Sequence, residues 1–514
     1  MNENSKSSDF KTLDIAFMGH PKPLRSLFFT EMWERFSYYG IRPLLVLFMT
    51  AAIAQGGLGI DDANASSIYG IFAGSMYLMP ILGGWLADNW LGQERALWWG
   101  SIIIALGHLS IGMSAFLSIQ FFFLGLVLLV IGSGLFKTCI SVMVGALYDK
   151  NDARRDAGFT LFYMGINLGA FLAPLITGIF KEQQMWHAGF TVGGVGMLIS
   201  LAIYKLFGKK NLTEFANAKN TAASWEQPKQ VRANVGKFVG VGVIALSAFI
   251  ILVMMGVITL NPVLIASVMT YVIAGSVSLY FAYCFVSPVF TKPEKLRLLV
   301  CFLLVVGSTF FWSSFEQQPT SFNLFAERYT DLNAFGMKIP TVWFQSLNSL
   351  FILVFAPIVS IMWVRLAAKK IQPNSMVKFA LGMFFAAAGF VLMIIASQGV
   401  VNNGGLASPW WLVGSLFLLT IGELMLSPAG LSSMTKLAPD RMQGVVMGLF
   451  FASIALGSLV ASFSGGSVSA DTIENLPKLF TTLTIFLVVC GVILIAVSRP
   501  VARMLKEADN NVEI

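Results

Sequence analysis

Charge is scarce in this chain: Asp, Glu, Lys and Arg make up 12% of its 514 residues, against 56% hydrophobic and 13% aromatic ones. So little polar surface, with a mean hydropathy of +0.75, excludes a soluble globular protein and leaves a polytopic membrane protein. Cysteine is scarcer still. Cys139, Cys284, Cys301 and Cys490 lie in or beside apolar runs without CxxC spacing, which supports neither a disulfide framework nor a zinc site. His20, His108 and His187 have no metal-ligand spacing, so no metal or other cofactor is expected. An embedded enzyme would need a nucleophile with its base, and no HExxH, GxSxG or Walker string stands at a helix boundary. The polar N-terminal stretch has no apolar core followed by a small-residue cleavage site, so the first span is expected to act as its own insertion signal. The net charge of +8 sits in short loops between apolar runs, where topology explains it more simply than nucleic acid does.

Reading apolar runs near bilayer length as helices places spans at about 24–54, 66–88, 96–117, 120–147, 158–180 and 189–207. Two more follow at about 236–260 and 262–288, and a last group at 296–317, 341–367, 376–397, 408–437, 442–466 and 477–498. The expected fold is therefore all-α, with about fourteen transmembrane helices. Its divisions are a tail at 1–23, a six-helix bundle at 24–208 and a polar linker at 209–235. An accessory two-helix hairpin at 236–288, a second six-helix bundle at 289–500 and a tail at 501–514 complete it. Within the hairpin, Asn261-Pro262 reads as a cap and an N1 proline that restart a helix. Basic residues crowd alternate loops, for example Lys22 and Arg25, Arg95, Arg154 and Arg155, Lys209 and Lys210, and Lys369 and Lys370. The positive-inside rule then puts both termini in the cytoplasm.

An internal repeat argues for two parallel halves. Phe162-Tyr163, five residues, Gly169-Ala170-Phe171-Leu172-Ala173 parallels Phe450-Phe451, five residues, Gly457-Ser458-Leu459-Val460-Ala461, each copy following a charged loop. Parallel halves of six spans match the major facilitator arrangement. Gly84-x-x-x-Asp88-x-x-x-Gly92-x-x-Arg95 matches the facilitator loop motif, where an acid and a base latch two helix ends, a structural or gating task.

The most unusual stretch is Thr30 to Arg42 in the first span. At about 100° per residue, Glu31, Glu34, Arg35, Tyr38, Tyr39 and Arg42 share roughly 140° of one helix face, while Met32, Trp33, Phe36 and Gly40 point away. Each charge costs about 2.5 to 3.5 kcal/mol at the middle of a bilayer, so this stripe must face protein or water. Lys137 and Glu316 are further intramembrane charges. Three acids and three bases among these six make a mutually paired network available, which is also what proton coupling requires. A purely structural ion pair is the plainer alternative.

Glu31-x-x-Glu34-Arg35-Phe36-x-Tyr38-Tyr39-Gly40 closely resembles the first-helix signature of the proton-dependent oligopeptide transporter (POT/PTR) family, bacterial type. Five further landmarks occur in order: Gly132-x-Gly134-Leu135-Phe136-Lys137; Phe162-Tyr163-x-x-Ile166-Asn167-x-Gly169; Phe311-Trp312-x-x-x-Glu316-Gln317; Trp343-Phe344-Gln345-Ser346-Leu347-Asn348; and Glu423-Leu424-x-x-Ser427-Pro428-x-Gly430. Departures exist too. Lys137 is followed by Thr138-Cys139 where the family usually has Pro-Asn, Phe450 stands where relatives can carry tryptophan, and the second span lacks the histidine of animal relatives.

The resemblance implies proton-coupled symport of di- and tripeptides into a bacterial cell across its inner membrane. Glu31, Glu34, Arg35, Lys137 and Glu316 would couple the proton. Arg35, with its planar fork, and Lys137 are suited to a peptide carboxylate, and Glu423 beside the Ser427-Pro428 kink to the ammonium. Glu423 has the alternative of a locally bonded kink acid. The resemblance assigns Asn167 and Asn348 to the peptide backbone; interhelical glue, a common task of asparagine in membranes, is the alternative for either alone. Tyr38, Tyr39, Tyr77, Trp312 and Phe450 would line side-chain pockets, or simply pack. Arg42 and Glu316 would form a periplasmic-side gate. His108 reads as a packed polar residue rather than a proton relay. Peptides, protons and lipid are the expected partners of a monomer. A proton-coupled carrier of a drug-like or anionic solute is the rival reading, disfavoured for anions by Glu423.

Overall fold

Helices form almost where the hydropathy places them, because in hydrocarbon only a helix or a closed barrel satisfies every backbone amide internally. The computed structural model describes residues 11–149, 152, 154–219, 234–334, 336–371, 373–466 and 473–510. Its long helices are α1 (Lys22–Thr50), α2 (Asp62–Leu86), α3 (Gln93–Met113), α4 (Gln120–Ala146), α5 (Arg155–Glu182) and α6 (Trp186–Ile203), followed by the shorter α7 (Lys209–Lys219). Then come α8 (Val235–Met254), α9 (Pro262–Val286), α10 (Lys292–Phe315), the short α11 (Asn323–Tyr329), α12 (Phe344–Ala368), α13 (Ser375–Asn403), α14 (Trp410–Leu437), α15 (Gln443–Gly466) and α16 (Leu476–Asn510). Among the described residues, 13 helices are long and apolar enough to cross a membrane. The 29-residue α1 reaches about 44 Å, ample for a bilayer, but its charges keep it out of that set. A two-residue hairpin, β1 (Asn333–Ala334) against β2 (Met337–Lys338), pairs antiparallel in a connecting loop.

The helices gather into two compact units, Met1–Leu44 with Leu78–Leu260, and Leu45–Tyr77 with Asn261–Ile514. These units cut the chain at other places than the expected bundles at 24–208 and 289–500. Packing, not chain order, decides membership. The first half of α2 carries Gly70 and Gly74, and a Cβ at Gly70 would lie 2.4 Å from Ser462 Cβ on α15. That close seat places 45–77 with the second unit. The accessory hairpin divides likewise. In the first unit, Gln120 donates to the Met254 carbonyl of α8 at 2.7 Å. In the second, Phe281 of α9 stacks edge-on against Phe302 of α10 at 5.2 Å. Asn261 caps α9 as its sequence suggests, its side chain accepting from Leu264 N at 3.1 Å ahead of an N1 proline.

The linker expectation is corrected over 209–219. A mostly polar composition hides an amphipathic helix there, whose buried residues Leu212, Phe215 and Ala216 recur at helical spacing. Asn211 donates to Ser26 Oγ at 2.7 Å and Glu214 takes Lys22 Nζ at 2.8 Å, which docks α7 on the start of α1. The rest of that linker, 220–233, lies outside the described residues. The span expected at 296–317 runs on past its expected end: α10 gives way at Glu316 to a π-turn, Gln318–Phe322, which leads into α11. Ahead of α5, Arg154 pairs with Asp14 at 2.7 Å and with Asp152 at 2.8 Å. Its hydrogen bonds hold the Asp152 carboxyl below the usual range.

The internal repeat has a packing counterpart. A Cβ at Gly169 would lie 2.1 Å from the Met32 carbonyl oxygen, and one at Gly457 would lie 2.6 Å from Trp312 Cβ and 3.0 Å from Ser313 N. In each unit, then, the repeated glycine seats its helix against the one bearing a signature string, α1 or α10. Gly169→Ala should cost about 1 to 3 kcal/mol through overpacking against backbone, seen as a lower melting temperature in detergent. At Gly240 a Cβ meets nothing within 4 Å, so Gly240→Ala should leave the melting temperature unchanged or slightly raised. Equal melting temperatures for the two variants would contradict the packing argument.

Candidate functional site

In the first unit the stripe on α1 closes on itself. Glu31, Glu34, Arg35 and Arg42 are all buried, and so are Met32 and Phe36 on the other side of the helix. Arg35 Nε lies 2.8 Å from Glu31 Oε1, to which it donates, and 2.8 Å from Glu34 Oε2, an ion pair without a hydrogen bond, so one nitrogen neighbours both acids. Among the described residues the two Nη atoms of Arg35 make no hydrogen bond, and Glu31 Oε2 has no donor against it. Glu34 Oε1 accepts from Ser133 Oγ at 3.3 Å. Ser133 lies one turn before Lys137 on α4, between two glycines of a signature string. That hydroxyl was legible but unread. Gly134 is there for a steric reason: a Cβ would lie 2.4 Å from Met79 Cγ.

Cations above the clamp rest on rings. Lys137 Nζ lies 4.9 Å from the Tyr38 ring centroid and Arg42 Cζ 5.9 Å from that of Tyr39, and the two rings meet edge-on at 5.1 Å. The two tyrosines therefore hold cations as well as offering apolar walls. Asn167 is buried on α5 and donates to the carbonyl of Tyr163, on its own helix, at 3.0 Å. Asp88 accepts from Gln93 Nε2 at 2.8 Å, while Arg95 is exposed. In the facilitator loop the acid's amide partner is thus Gln93, five residues on, a neighbour the motif does not name.

In the second unit a phenol and an amide donate to the acids. Asn348 Nδ2 on α12 lies 3.0 Å from Glu423 Oε2 and 3.0 Å from Thr420 Oγ1, both on α14. Thr420 in turn donates to Leu416 O at 2.7 Å. Thr420, one turn before Glu423, escaped the sequence reading because a threonine in an apolar helix carries no signal of its own. Glu316 Oε2 accepts from Tyr69 Oη of α2 at 2.8 Å, with both residues about 1% exposed. Nothing in the sequence pairs positions 69 and 316, since α2 and α10 are brought together only by packing. Trp312 is buried with no partner for its Nε1 among the described residues, and the same holds for Ser427 Oγ. Phe450 is buried against Gly430, where a Cβ would lie 2.6 Å from its Cζ. Tyr77 is half-buried on α2.

Each unit by itself offers groups that suit a polar, charged solute. A guanidinium edge and an ammonium suit a carboxylate, an acid with an amide beside it suits an ammonium, and carboxylates held by a shared cation can exchange that cation for a proton. Comparison with known proteins points the same way. A family model described as the POT family matches residues 94–482. The peptide transporter YePEPT of Yersinia enterocolitica is 54% identical over 96% of this chain and 97% of its own. A di-/tripeptide transporter of Lactococcus lactis is 33% identical over 95% of this chain and 97% of its own. Among solved structures, a peptide transporter POT in complex with sulfate superposes with a TM-score of 0.87 at 35% identity, covering 98% of this chain and 99% of that one. A POT family transporter in complex with a thioalcohol-conjugated peptide superposes with a TM-score of 0.85 at 32% identity, covering 96% and 99%. With its motifs in order, its paired helical halves and a family match over most of its length, this multi-pass membrane protein belongs to the POT family of transporters.

Proposed function

We propose that the protein carries di- and tripeptides into the cell together with protons, by alternating access, in the inner membrane with both termini cytoplasmic. The observation that carries this reading is the Arg35 clamp: Nε of a buried guanidinium lies against both acids while its two Nη atoms make no hydrogen bond among the described residues. A peptide carboxylate is the natural ligand of that edge, through two parallel N–H bonds. Its arrival weakens the hold of Arg35 on Glu31 and Glu34. An acid that loses its cation while still out of water takes up a proton. In the second unit, Glu423 would accept the peptide ammonium, with Asn348 fixing the rotamer of that acid. Asn348, Asn167, Tyr77, Trp312, Ser427 and Phe450 would meet the peptide backbone and side chains. Arg42 and Glu316 are assigned to gating, and Glu316 also to coupling. Glu423 also weighs against an anion as cargo, since its carboxylate would repel one.

Energetically, one proton moving down 100 mV brings about 2.3 kcal/mol, enough for roughly fiftyfold accumulation of a neutral peptide. Uptake of labelled dialanine into proteoliposomes, with and without an inward proton gradient, is the direct test. Gradient-independent uptake, or none, would remove this function. Lys137→Ala and Glu34→Gln should each abolish gradient-driven uptake while sparing exchange of peptide for peptide; concentrative uptake retained by both would refute the coupling role. Tyr69→Phe removes a single hydroxyl from a buried carboxylate and should slow gradient-driven uptake about tenfold, the scale of a hydrogen bond to a charged group. Wild-type uptake in that variant, beside a defect in Glu316→Gln, would show that the phenol is dispensable.

A further inference from the structure

Among the buried titratable side chains that the coupling machinery does not use is His108 on α3. It is 1% exposed and both its ring nitrogens are engaged. Nδ1 lies 3.0 Å from the carbonyl oxygen of Phe190 on α6. A carbonyl only accepts, so Nδ1 carries the proton, Nε2 of the neutral ring is an acceptor, and its partner donates. That partner is Ser37 Oγ on α1, 2.5 Å away and itself 1% exposed. The ring occupies a notch cut for it in α6. A Cβ at Gly193 would lie 2.3 Å from His108 Cε1, and one at Gly194 would lie 2.9 Å from His108 Cβ.

The place of Ser37 gives this link its meaning. It sits one turn after Glu34 and immediately before Tyr38, the residues that meet Ser133 and Lys137 of α4. The same α3 holds α4 by backbone crossings: a Cβ at Gly100 would lie 2.7 Å from Gly132 O, and one at Gly107 would lie 3.0 Å from Gly125 O. Through its glycines α3 sets the height of α4, and through its histidine it sets the rotation of α1 at the charged turn. We infer that His108 is a positioning residue for transport, holding α1 through Ser37 so that Glu34 and Tyr38 stay in register with Ser133 and Lys137. It touches neither proton path nor peptide; it acts through α1. This inference rests on the transport reading above.

Three substitutions separate the two bonds of the ring. Ser37→Ala removes the α1 link alone. His108→Asn places a donor where Nδ1 stood and keeps only the Phe190 bond. His108→Gln places an amide where Nε2 stood and keeps only the Ser37 link. In proteoliposomes with an inward proton gradient, Ser37→Ala and His108→Asn should each raise the KM for dialanine about five- to tenfold, the scale of one hydrogen bond. The pair combined should do no worse than either, because both break the same link. His108→Gln should restore the wild-type KM. Hydrogen–deuterium exchange over Glu34–Ile41, measured without substrate, should quicken in Ser37→Ala and not in His108→Gln. A wild-type KM and unchanged exchange in Ser37→Ala would overturn the assignment, as would a lowered melting temperature with unaltered KM. Failure of the wild type to accumulate dialanine would instead sink the transport reading, and the exchange measurement would still decide the role of His108.

Discussion

Ionised side chains kept from water govern how the first unit is built. Taking a charge out of water costs several kcal/mol even after relaxation, and the cost is met only where an opposite charge and hydrogen bonds stand ready. Arg35 between Glu31 and Glu34 meets that condition on a single helix, within one turn of backbone. The helix bearing this cluster cannot present it to lipid, so α1 is enclosed by its neighbours over this stretch. Enclosure requires close approach, and close approach requires glycine: Gly169 lets α5 reach the backbone of α1 at Met32. The local chemistry of three residues thereby sets the packing of whole helices.

Carboxylates in both units take hydrogen bonds from helices distant in sequence or from their own turn. In the first, Glu31 and Glu34 share the Arg35 guanidinium; in the second, Glu316 accepts from the Tyr69 phenol and Glu423 from the Asn348 amide. Burying a carboxylate is tolerated only where such donors are in place. The repeat in the sequence concerns packing, at Gly169 and Gly457, and leaves the chemistry of each half free to diverge.

Much of this was legible in the amino-acid order. Hydropathy runs placed the long helices to within a few residues at most ends, since a bilayer imposes length and apolarity together. Angular arithmetic put Glu31, Glu34 and Arg35 on one face, and the structure joins those three. What escaped has a common cause. Tyr69 with Glu316, Ser37 with His108, and Thr420 with Asn348 are contacts between helices distant in sequence, and in each the first-named residue is of a type too ordinary to attract notice singly. The seat of Gly70 on Ser462 was likewise beyond the sequence, since only coordinates reveal which neighbour a helix prefers. Helix α7 was overlooked because its few buried residues are outnumbered by the polar ones around them.

The departure after Lys137 has a mechanical consequence. With Thr138-Cys139 in place of Pro-Asn, α4 runs unbroken through 27 residues, and its partner α3 contains no proline either. By contrast α1, α2, α5, α12, α14 and α16 each have a proline inside them, at 43, 80, 174, 357, 428 and 500. Proline removes a ladder bond and lets a helix bend, so these six own proline joints that α3 and α4 lack. Lys137 therefore rides on a helix whose hydrogen-bond ladder no proline interrupts, packed by its glycines on another of the same kind.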